Sequence, residues 1–335
     1  MATIKDVAEL AGVSTTTVSR VLNRGEGSEE VKQRVNRAVK LLNYQISASA
    51  RGLKQKFTNI VGIIVADISN PPTSQMFHGV ARVMHEHQMT VMLGNSEAET
   101  SRELELIEMF ARQRVAGVIY AGKGVTEEAA EALNAFPSPV VVAAQESEET
   151  RWPTVLFDNY GASYDVARRI IENGHRRIGY ISAPLDDREA GHRRQEGHLD
   201  AVTAAGIREV PGYVQHAEFS VASGYAAMER MLSQAPDAPT AVAAGSDLIA
   251  IGAMRCLRDR NIRVPEEISL FGFDDIPVCS KLIPSLSSVW LDFYELGEVC
   301  ADLLYRMVGR GETQVERVVL HHNIKVRESL SPVGG

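Results

Sequence analysis

Residues 1–23 read MATIKDVAELAGVSTTTVSRVLN, and this stretch decides the fold of the amino-terminal part of the chain. Its first half has apolar residues at the spacing of one helix face, namely Ile4, Val7, Ala8 and Ala11. Thr3 is suited to cap such a helix, and Asp6 lies where a carboxylate stabilises the positive helix end. Gly12 tolerates the left-handed conformation that ends helices. The pattern predicts a first helix that ends at a glycine turn.

The second half predicts another helix, over residues 15–22, with Ser14 as its cap. Its outward face carries hydroxyls and one guanidinium, from Thr15, Thr16, Thr17, Ser19 and Arg20. A third amphipathic helix is predicted over residues 28–43. Two helices joined by a short glycine-containing turn form a helix-turn-helix. Because hydroxyls and Arg can bond base edges and phosphates in the major groove, the second helix is a candidate DNA reader.

Charge is divided unevenly along the chain. Residues 1–57 hold ten Lys and Arg against five Asp and Glu, a net charge of +5. The other 278 residues hold 25 and 38, a net charge of −13, so the whole chain carries −8. A basic segment on an acidic body is typical of a polyanion-binding module joined to a domain that does not bind nucleic acid.

This amino-terminal stretch, together with ARGLK at residues 50–54, closely resembles the LacI/GalR family of transcriptional repressors, and the resemblance extends over the whole chain. It implies that Thr15, Thr16 and Arg20 read bases. It also implies contacts with the phosphate backbone for four residues, Thr3, Ser14, Thr17 and Asn23. Backbone contacts position such a protein on DNA, and base contacts supply sequence information.

The resemblance also identifies residues 47–54 as a hinge helix that, in relatives, folds only on DNA. Leu53 takes the position of the leucine that enters the minor groove at a central CG step, with Ala50 beside it. An apolar wedge of this kind unstacks one base step and kinks the duplex. Ile46 replaces the family's usual proline, which removes a helix-start signal. Hinge folding is therefore expected to be less favourable or differently triggered.

From residue 58 onward, short β-rich runs alternate with amphipathic helical segments. The predicted strands cover residues 60–67, 90–94, 115–121, 140–144, 154–157, 177–182, 241–244 and 269–273. Strands rich in Val and Ile, separated by helices, predict parallel βαβ sheets. So many strands favour two Rossmann-like lobes with a ligand crevice at the carboxyl ends of the strands. The resemblance likewise implies an α/β periplasmic-binding-protein-like core attached to the all-α helix-turn-helix domain.

We therefore expect a DNA-binding domain with its hinge over residues 1–57, and an effector-binding and dimerisation domain over residues 58–335. The resemblance implies crossovers between the lobes near residues 160, 290 and 322. A homodimer on a pseudo-palindromic double-stranded DNA operator is expected, because operator symmetry mirrors protein symmetry. No carboxy-terminal heptad segment is present, which favours a dimer over a tetramer.

Several strand ends carry side chains that suit ligand hydroxyls. The resemblance implies effector contacts for Arg194, Asp274 and Phe219, whose ring would lie against a sugar or base, and more weakly for Asp158 and Asp247. A purely structural role stays open for each of them, a helix cap in the case of Asp158. A cluster of donors would suit a disaccharide, a sugar phosphate or a sugar acid, or else form a solvated helix face: Arg188, His192, Arg193 and Arg194.

We expect a saccharide or sugar derivative as the effector, and release of the operator when it binds. Pro72 and Thr73 stand where purine-responsive members carry the bulky aromatics that stack a purine, which disfavours but leaves open a purine or nucleoside effector. A protein co-repressor stays open as well. A periplasmic sugar-binding protein is disfavoured, because it would carry a signal peptide and no helix-turn-helix.

Other functions find little support in the sequence. It contains no G-x-S-x-G, P-loop or GxGxxG motif and no His/Cys cluster with zinc spacing, so we expect no enzyme activity, catalytic residue, cofactor or metal. The three Cys are widely spaced, and the apolar runs are far shorter than the ~18 residues that span a bilayer. A cytoplasmic protein without membrane contact is expected.

Overall fold

The computed structural model describes residues 2–44, 57–146 and 151–333. The chain divides into two compact units, Met1–Thr58 and Asn59–Gly335. Within the described ranges, no helix is both long enough and apolar enough to cross a membrane.

The first unit is a bundle of α1 (Ile4–Ala11), α2 (Thr15–Arg24) and α3 (Glu29–Leu41). Its core is one apolar cluster of Val7, Ala8, Ala11, Val18, Val21, Val35 and Ala38. Gly12 has φ 64°, in the left-handed region, and turns the chain between α1 and α2. Arg34 of α3 donates hydrogen bonds to the carbonyls of Ala11 and Gly12, at 2.6 and 3.1 Å, and so satisfies the carboxyl end of α1. The predicted helix-turn-helix is confirmed.

The second unit contains two parallel sheets. The first is built from β1 (Ile60–Val65), β2 (Thr90–Asn95), β3 (Val118–Ala121), β4 (Val140–Ala143), β5 (Thr154–Phe157) and a late strand, β11 (Arg317–Leu320). Their spatial order is β11-β5-β4-β3-β1-β2, and every pair is parallel. The connecting helices are α4 (Pro71–Glu86), α5 (Thr100–Gln113) and α6 (Glu127–Asn134). β4 is buried along its whole length, as its unbroken apolar run predicts.

The second sheet contains β6 (Ile178–Ser182), β7 (Val214–His216), β8 (Ala241–Ala244) and β9 (Ser269–Phe271), in the order β7-β6-β8-β9. These pairs are parallel too. Its helices are α7 (Asn159–Glu172), α8 (Arg194–Ala204), α9 (Val221–Gln234) and α10 (Asp247–Asp259). A π-helical turn, Arg188–Arg193, leads directly into α8, and a 3-10 turn, Cys279–Lys281, follows β9. The predicted α/β core with two parallel sheets is confirmed.

The chain passes from one sheet to the other three times. It leaves β5 for α7, then returns through β10 (Ser288–Leu291) and α11 (Phe293–Arg310). After β11 it leaves again through β12 (His322–Lys325), which pairs antiparallel with β10. α11 packs closely on α4, since a Cβ on Gly79 or Gly297 would collide with a backbone carbonyl of the facing helix. Because β11 pairs with β5, the first sheet contains strands from both the beginning and the end of the second unit.

Four strands were not predicted: β7, β10, β11 and β12. Each has only three or four residues. β11 and β12 alternate exposed and partly buried positions, so neither shows the unbroken apolar run of a fully buried strand.

Candidate functional site

The outward face of α2 carries the predicted base-reading residues. Thr15, Thr16 and Arg20 are exposed on it, and Thr16 and Arg20 lie four residues apart on one side of the helix. Val18 and Val21, on the opposite side, are buried in the core of the bundle. The helix is thereby held with a guanidinium and two hydroxyls turned toward solvent.

Two predicted phosphate contacts lie at helix starts. Thr3 Oγ1 accepts a hydrogen bond from the Asp6 backbone N–H at 3.4 Å, and Asp6 Oδ2 accepts one from the Thr3 backbone N–H at 2.7 Å. The bond from the Thr3 backbone N–H, together with one from the Thr3 hydroxyl to Asp6 Oδ2 at 2.9 Å, lowers the pKa of Asp6 from its ordinary value. Ser14 Oγ accepts a hydrogen bond from the Thr17 backbone N–H at 3.1 Å and lies 2.9 Å from the Thr17 hydroxyl. Both starts are positive helix ends, which stabilise a phosphate oxygen.

The structure does not describe the side chains of three other predicted DNA contacts. Ala50 and Leu53 belong to the segment 45–56, and only the backbone of Asn23, within α2, is described.

A cleft of about 620 Å³ opens in the second unit, where the carboxyl ends of the two sheets face each other. Its first wall includes residues at or after the ends of β1, β2 and β3, among them Asp67, Asn70, Asn95 and Lys123. Its second wall includes residues that follow β6, β7 and β9, among them Asp187, Glu189, Arg194, Phe219 and Asp274. This is the place where open α/β sheets bind ligands.

Arg194 belongs to the second wall and is 4% exposed. Its Nε donates a hydrogen bond to Asn159 Oδ1 at 2.8 Å, and its Nη1 donates one to the Gly245 carbonyl at 2.7 Å. The guanidinium also stacks on the Phe273 ring, 3.8 Å from the ring centre. Arg194 therefore joins residues that follow β5 and β8 at one point of the cleft.

Asp274 faces this guanidinium, with Oδ1 3.1 Å from Arg194 Nη1. The contact is an ion pair rather than an aligned hydrogen bond, because Oδ1 has no hydrogen-bond partner of suitable geometry among the described residues. Burial raises the pKa of Asp274 to about 6, although Arg194 acts in the opposite direction. The Asp274 backbone has φ 103°, where residues other than glycine are strained. A strained, buried carboxyl group in a cleft is typical of a functional site.

The π-helical turn Arg188–Arg193 adds two further carboxyl groups. Asp187 caps it, since its Oδ1 accepts a hydrogen bond from the Ala190 backbone N–H at 2.8 Å. Glu189 Oε2 accepts a hydrogen bond from Asn159 Nδ2 at 3.0 Å. Burial raises the pKa of both carboxyl groups. Asn159 thus bridges Arg194 and Glu189, and all of these groups line the cleft.

Among the described residues, one ion pair joins the two sides of the cleft. Lys123 Nζ, after β3, lies 2.5 Å from Asp186 Oδ2, after β6. Both side chains are substantially exposed, so the pair contributes little stability by itself.

Asp158 and Asp247 do not belong to the described lining of this cleft. Asp158 is exposed and caps α7, because its Oδ1 accepts a hydrogen bond from the Gly161 backbone N–H at 2.9 Å. Asp247 is buried, and its carboxyl group accepts hydrogen bonds from Ser288 Oγ at 2.6 Å and from the Ile276 backbone N–H at 2.8 Å. We therefore leave both out of the proposed ligand contacts.

The predicted donor cluster separates in the structure. Only Arg194 lies in the lining of the cleft. Arg188 and His192 are exposed, and Arg193 borders a smaller cavity, where it lies over the Tyr160 ring at 5.0 Å and 2.6 Å from Glu196. The side chains at 188, 192 and 193 thus form a helix face outside the cleft, because α8 and the turn before it have only one side toward the cleft.

Sequence reasoning missed Asp187 and Glu189 as residues of the cleft, and it assigned no ligand contact to Asn159. Asn159 directly follows β5 beside Asp158, so its position at a strand end was a usable signal. Nothing comparable marks Glu189, because its place in the cleft depends on the π-helical turn. As to metals, the described residues contain no group of three or more His, Cys, Asp or Glu arranged to hold an ion.

The chain matches two family models. Residues 3–47 match the bacterial regulatory proteins of the lacI family, and residues 167–330 match a periplasmic binding protein-like domain. Catabolite control protein A of Priestia megaterium is 32% identical to this chain, over 98% of each sequence.

Two solved structures are similar over nearly the whole chain. A complex of the transcriptional regulator CelR with cellobiose shares 31% identity and covers 98% of this chain and 100% of its own, with a TM-score of 0.74. The Lac repressor dimer bound to operator and to the anti-inducer ONPF shares 25% identity over 98% of each chain, with a TM-score of 0.88.

A helix-turn-helix unit joined to a two-sheet binding core defines a ligand-responsive regulator that binds DNA. The chain belongs to the lacI family of bacterial regulatory proteins. It is a sequence-specific transcription regulator with an effector-binding core, and its relatives are regulators rather than enzymes.

Proposed function

We propose that this protein is a repressor that a sugar or sugar derivative releases from its operator. The observation that carries the proposal is the cleft between the two sheets, with the buried Arg194–Asp274 pair on one wall. A ligand that bonds both walls has different affinities for open and closed arrangements of the lobes, and this difference is what a regulatory ligand requires.

The lining of the cleft suits a polyhydroxylated ligand. Asp67, Asn70 and Asn95 offer oxygen and amide groups on the first wall, and Asn159 and Asp274 do so on the second. Phe219 supplies an apolar ring on which the C–H face of a sugar can pack. The regulator whose structure was solved with cellobiose is a relative that binds a sugar.

A purine or nucleoside is the second effector class. Pro72 and Thr73 both line the first wall, where the family resemblance implies stacking aromatics in purine-responsive members. A proline ring and a threonine offer a planar base less stacking surface than two aromatic rings do. This difference favours a sugar.

We further propose that the protein acts as a homodimer on a pseudo-palindromic operator in the cytoplasm, where the chromosome lies. The Lac repressor was solved as a dimer on its operator. This proposal includes the domain division at residue 57, the hinge over residues 47–54 with Leu53 and Ala50, and the base contacts of α2.

Selection of bound sequences from random double-stranded DNA should yield a pseudo-palindromic operator. Titration of that complex with sugars, purines and nucleosides then tests the effector class. We expect a sugar to weaken operator binding by about 5- to 150-fold, which corresponds to a coupling of about 1–3 kcal/mol. A response to purines or nucleosides alone would contradict the sugar assignment, and a response only to an added protein partner would favour a co-repressor.

Replacement of Arg20 by alanine should relax sequence preference at one base position and weaken cognate binding by about 1–3 kcal/mol. The reason is that a guanidinium bonded to a base edge discriminates among bases, whereas one bonded to phosphate does not. Affinity for the operator and for its single-base variants gives the measurement. Arg37→Ala removes the same charge from the exposed side of α3 and should show no change in base preference. Equal losses of affinity for cognate and scrambled DNA in Arg20→Ala would indicate that Arg20 contacts a phosphate.

A further inference from the structure

The carboxylate of Glu189 is incompletely bonded in the effector cleft. Glu189 is 3% exposed and belongs to the π-helical turn on the second wall. Its Oε2 accepts a hydrogen bond from Asn159 Nδ2, whereas Oε1 has no hydrogen-bond partner within the described part of the chain. A buried oxygen without a donor destabilises the folded protein. A ligand hydroxyl in the cleft would supply the donor.

The buried ionisable groups in the described lining of the cleft are mostly acidic. Asp187, Glu189 and Asp274 are buried carboxyl groups of its lining, and Arg194 is the buried cation that opposes them. Arg194 already bonds groups of the protein through Nε and Nη1. Burial raises the pKa of Glu189 and of Asp187, because it disfavours the charged form, and the nearby Arg193 and Arg194 do not offset this effect.

The rim of the cleft continues this pattern. Asp67 and Glu218 add acidic groups to the lining, whereas Glu97 is paired with Arg102 and Lys123 with Asp186. A phosphate or carboxylate would therefore meet carboxylates at short range, while both cations of the described lining are engaged by the protein itself. Repulsion between like charges is strong where water is excluded. Neutral hydroxyl groups meet acceptors in the same place.

We propose that Glu189 is an effector-binding acceptor and that the carboxylate-rich cleft selects an uncharged polyhydroxylated ligand, an unmodified sugar rather than a sugar phosphate or a sugar acid. This inference rests on the sugar-responsive function proposed above. Glu189 accepts a ligand hydroxyl through Oε1 and keeps its bond to Asn159 through Oε2. The charge of the site, rather than its shape alone, then excludes the phosphorylated and oxidised forms of the same sugar.

The first test needs no ligand and compares two glutamine variants of the full chain by thermal unfolding. Glu103 is a matched control, since it is equally buried but bonded on both sides. Its Oε2 accepts a hydrogen bond from the Tyr120 hydroxyl at 2.8 Å, and Oε1 lies 3.5 Å from Ser96 Oγ. Glu103→Gln should lower the melting temperature, because the donors around this carboxyl group, which include the Lys123 backbone N–H, then bond a weaker neutral acceptor. Glu189→Gln should leave it unchanged or raise it, since the lost charge was uncompensated. An equal loss in both variants would make Glu189 a structural residue and overturn its assignment.

The second test uses matched ligand sets with the wild-type full chain. Each set holds one uncharged molecule and its anionic derivatives: glucose with glucose 6-phosphate and gluconate, ribose with ribose 5-phosphate, cellobiose with cellobionate, and inosine with inosine monophosphate. A ligand that binds only the folded state raises the melting temperature. We expect the uncharged member to act at a concentration at least tenfold lower than its anionic partners. An anionic member that acts at an equal or lower concentration would overturn the charge selection.

The two proposals fail in distinguishable ways. If inosine but no sugar stabilises the protein, the sugar assignment falls while charge selection stands. If no member of any set stabilises it, the sugar-responsive function and the charge selection that rests on it both fail. The unfolding comparison then still tests whether Glu189 is a structural residue. For the ligand that binds, Glu189→Gln should raise its dissociation constant at least tenfold, about 1.4 kcal/mol. An unchanged dissociation constant would show that Glu189 does not bind it.

Discussion

Replacement of Arg194 by alanine should destabilise the core by about 3–5 kcal/mol and abolish the response to effector. The loss is large because the guanidinium bonds Asn159 and the Gly245 carbonyl and faces Asp274. Without it, Asp274 becomes a buried carboxylate with no cation beside it, and two bonded oxygens lose their donor. Guanidinium chloride denaturation of the full chain measures the stability, and effector titration of the operator complex measures the response.

Arg193→Ala is the matched control for this experiment. Arg193 precedes Arg194 directly but is 40% exposed, bonds Glu196 and borders the smaller cavity. Its removal should change stability by less than about 1 kcal/mol and leave the effector response intact. Arg194→Lys keeps the charge but lacks the planar fork that reaches several partners, so we expect an intermediate loss. A wild-type effector response in Arg194→Ala would show that the effector binds elsewhere.

Much of the DNA-binding unit could be predicted from the sequence because its signals are local. Thr3 and Ser14 were expected as caps, and Gly12 as a helix end, from residues within four positions of each. The third helix was expected from its apolar spacing alone. The contact of Arg34 with the end of α1 was not predicted, because it joins residues more than twenty positions apart.

The cleft was harder to predict because neighbouring residues at a strand end point in different directions. Asp158 and Asn159 both follow β5, yet Asp158 caps α7 while Asn159 bonds Arg194 and Glu189 in the cleft. The directions of the charged side chains in the turn before α8 were equally hard to predict, since the period of an α-helix does not apply to a π-helical turn. Which side chain enters the cleft depends on this backbone detail, which spacing alone does not specify.

Asp247→Asn should change how stability depends on pH. Burial is the main cause that raises the pKa of Asp247 to about 8 in the folded protein, against an ordinary value of 3.8, and the nearby Asp274 adds to it. The folded state then binds more protons than the unfolded state between these two pH values. The stabilisation due to the proton is present at low pH and is lost as pH rises toward 8. Because the slope for one such group is about 1.4 kcal/mol per pH unit, the loss between pH 5 and 8 amounts to several kcal/mol.

Asparagine imitates the protonated form of this side chain. Its carbonyl oxygen can accept the hydrogen bond of the Ile276 backbone N–H, and its amide can donate to Ser288 Oγ, so both contacts survive without a titratable proton. We therefore expect Asp247→Asn to gain stability relative to the wild type as pH rises from 5 to 8, and the gain to level off above pH 8. The measurement is guanidinium chloride denaturation of both proteins at pH 5, 6.5, 8 and 9.

The comparison between the two proteins cancels groups that titrate independently of Asp247. Asp274, whose pKa is about 6, is coupled to Asp247 by charge, so the difference reports the titration of this pair. Burial lowers the pKa of His175 and of His198, so both histidines remove stability as pH falls, but they do so equally in wild type and variant. Asp275→Asn serves as the control, since it breaks the ion pair with Arg327 at 2.7 Å and should lower stability throughout this range. A difference between wild type and Asp247→Asn that stays constant from pH 5 to 8 would mean that Asp247 is already ionised in the folded protein. The hydrogen bonds of Ser288 and Ile276 would then stabilise a buried carboxylate rather than a carboxylic acid.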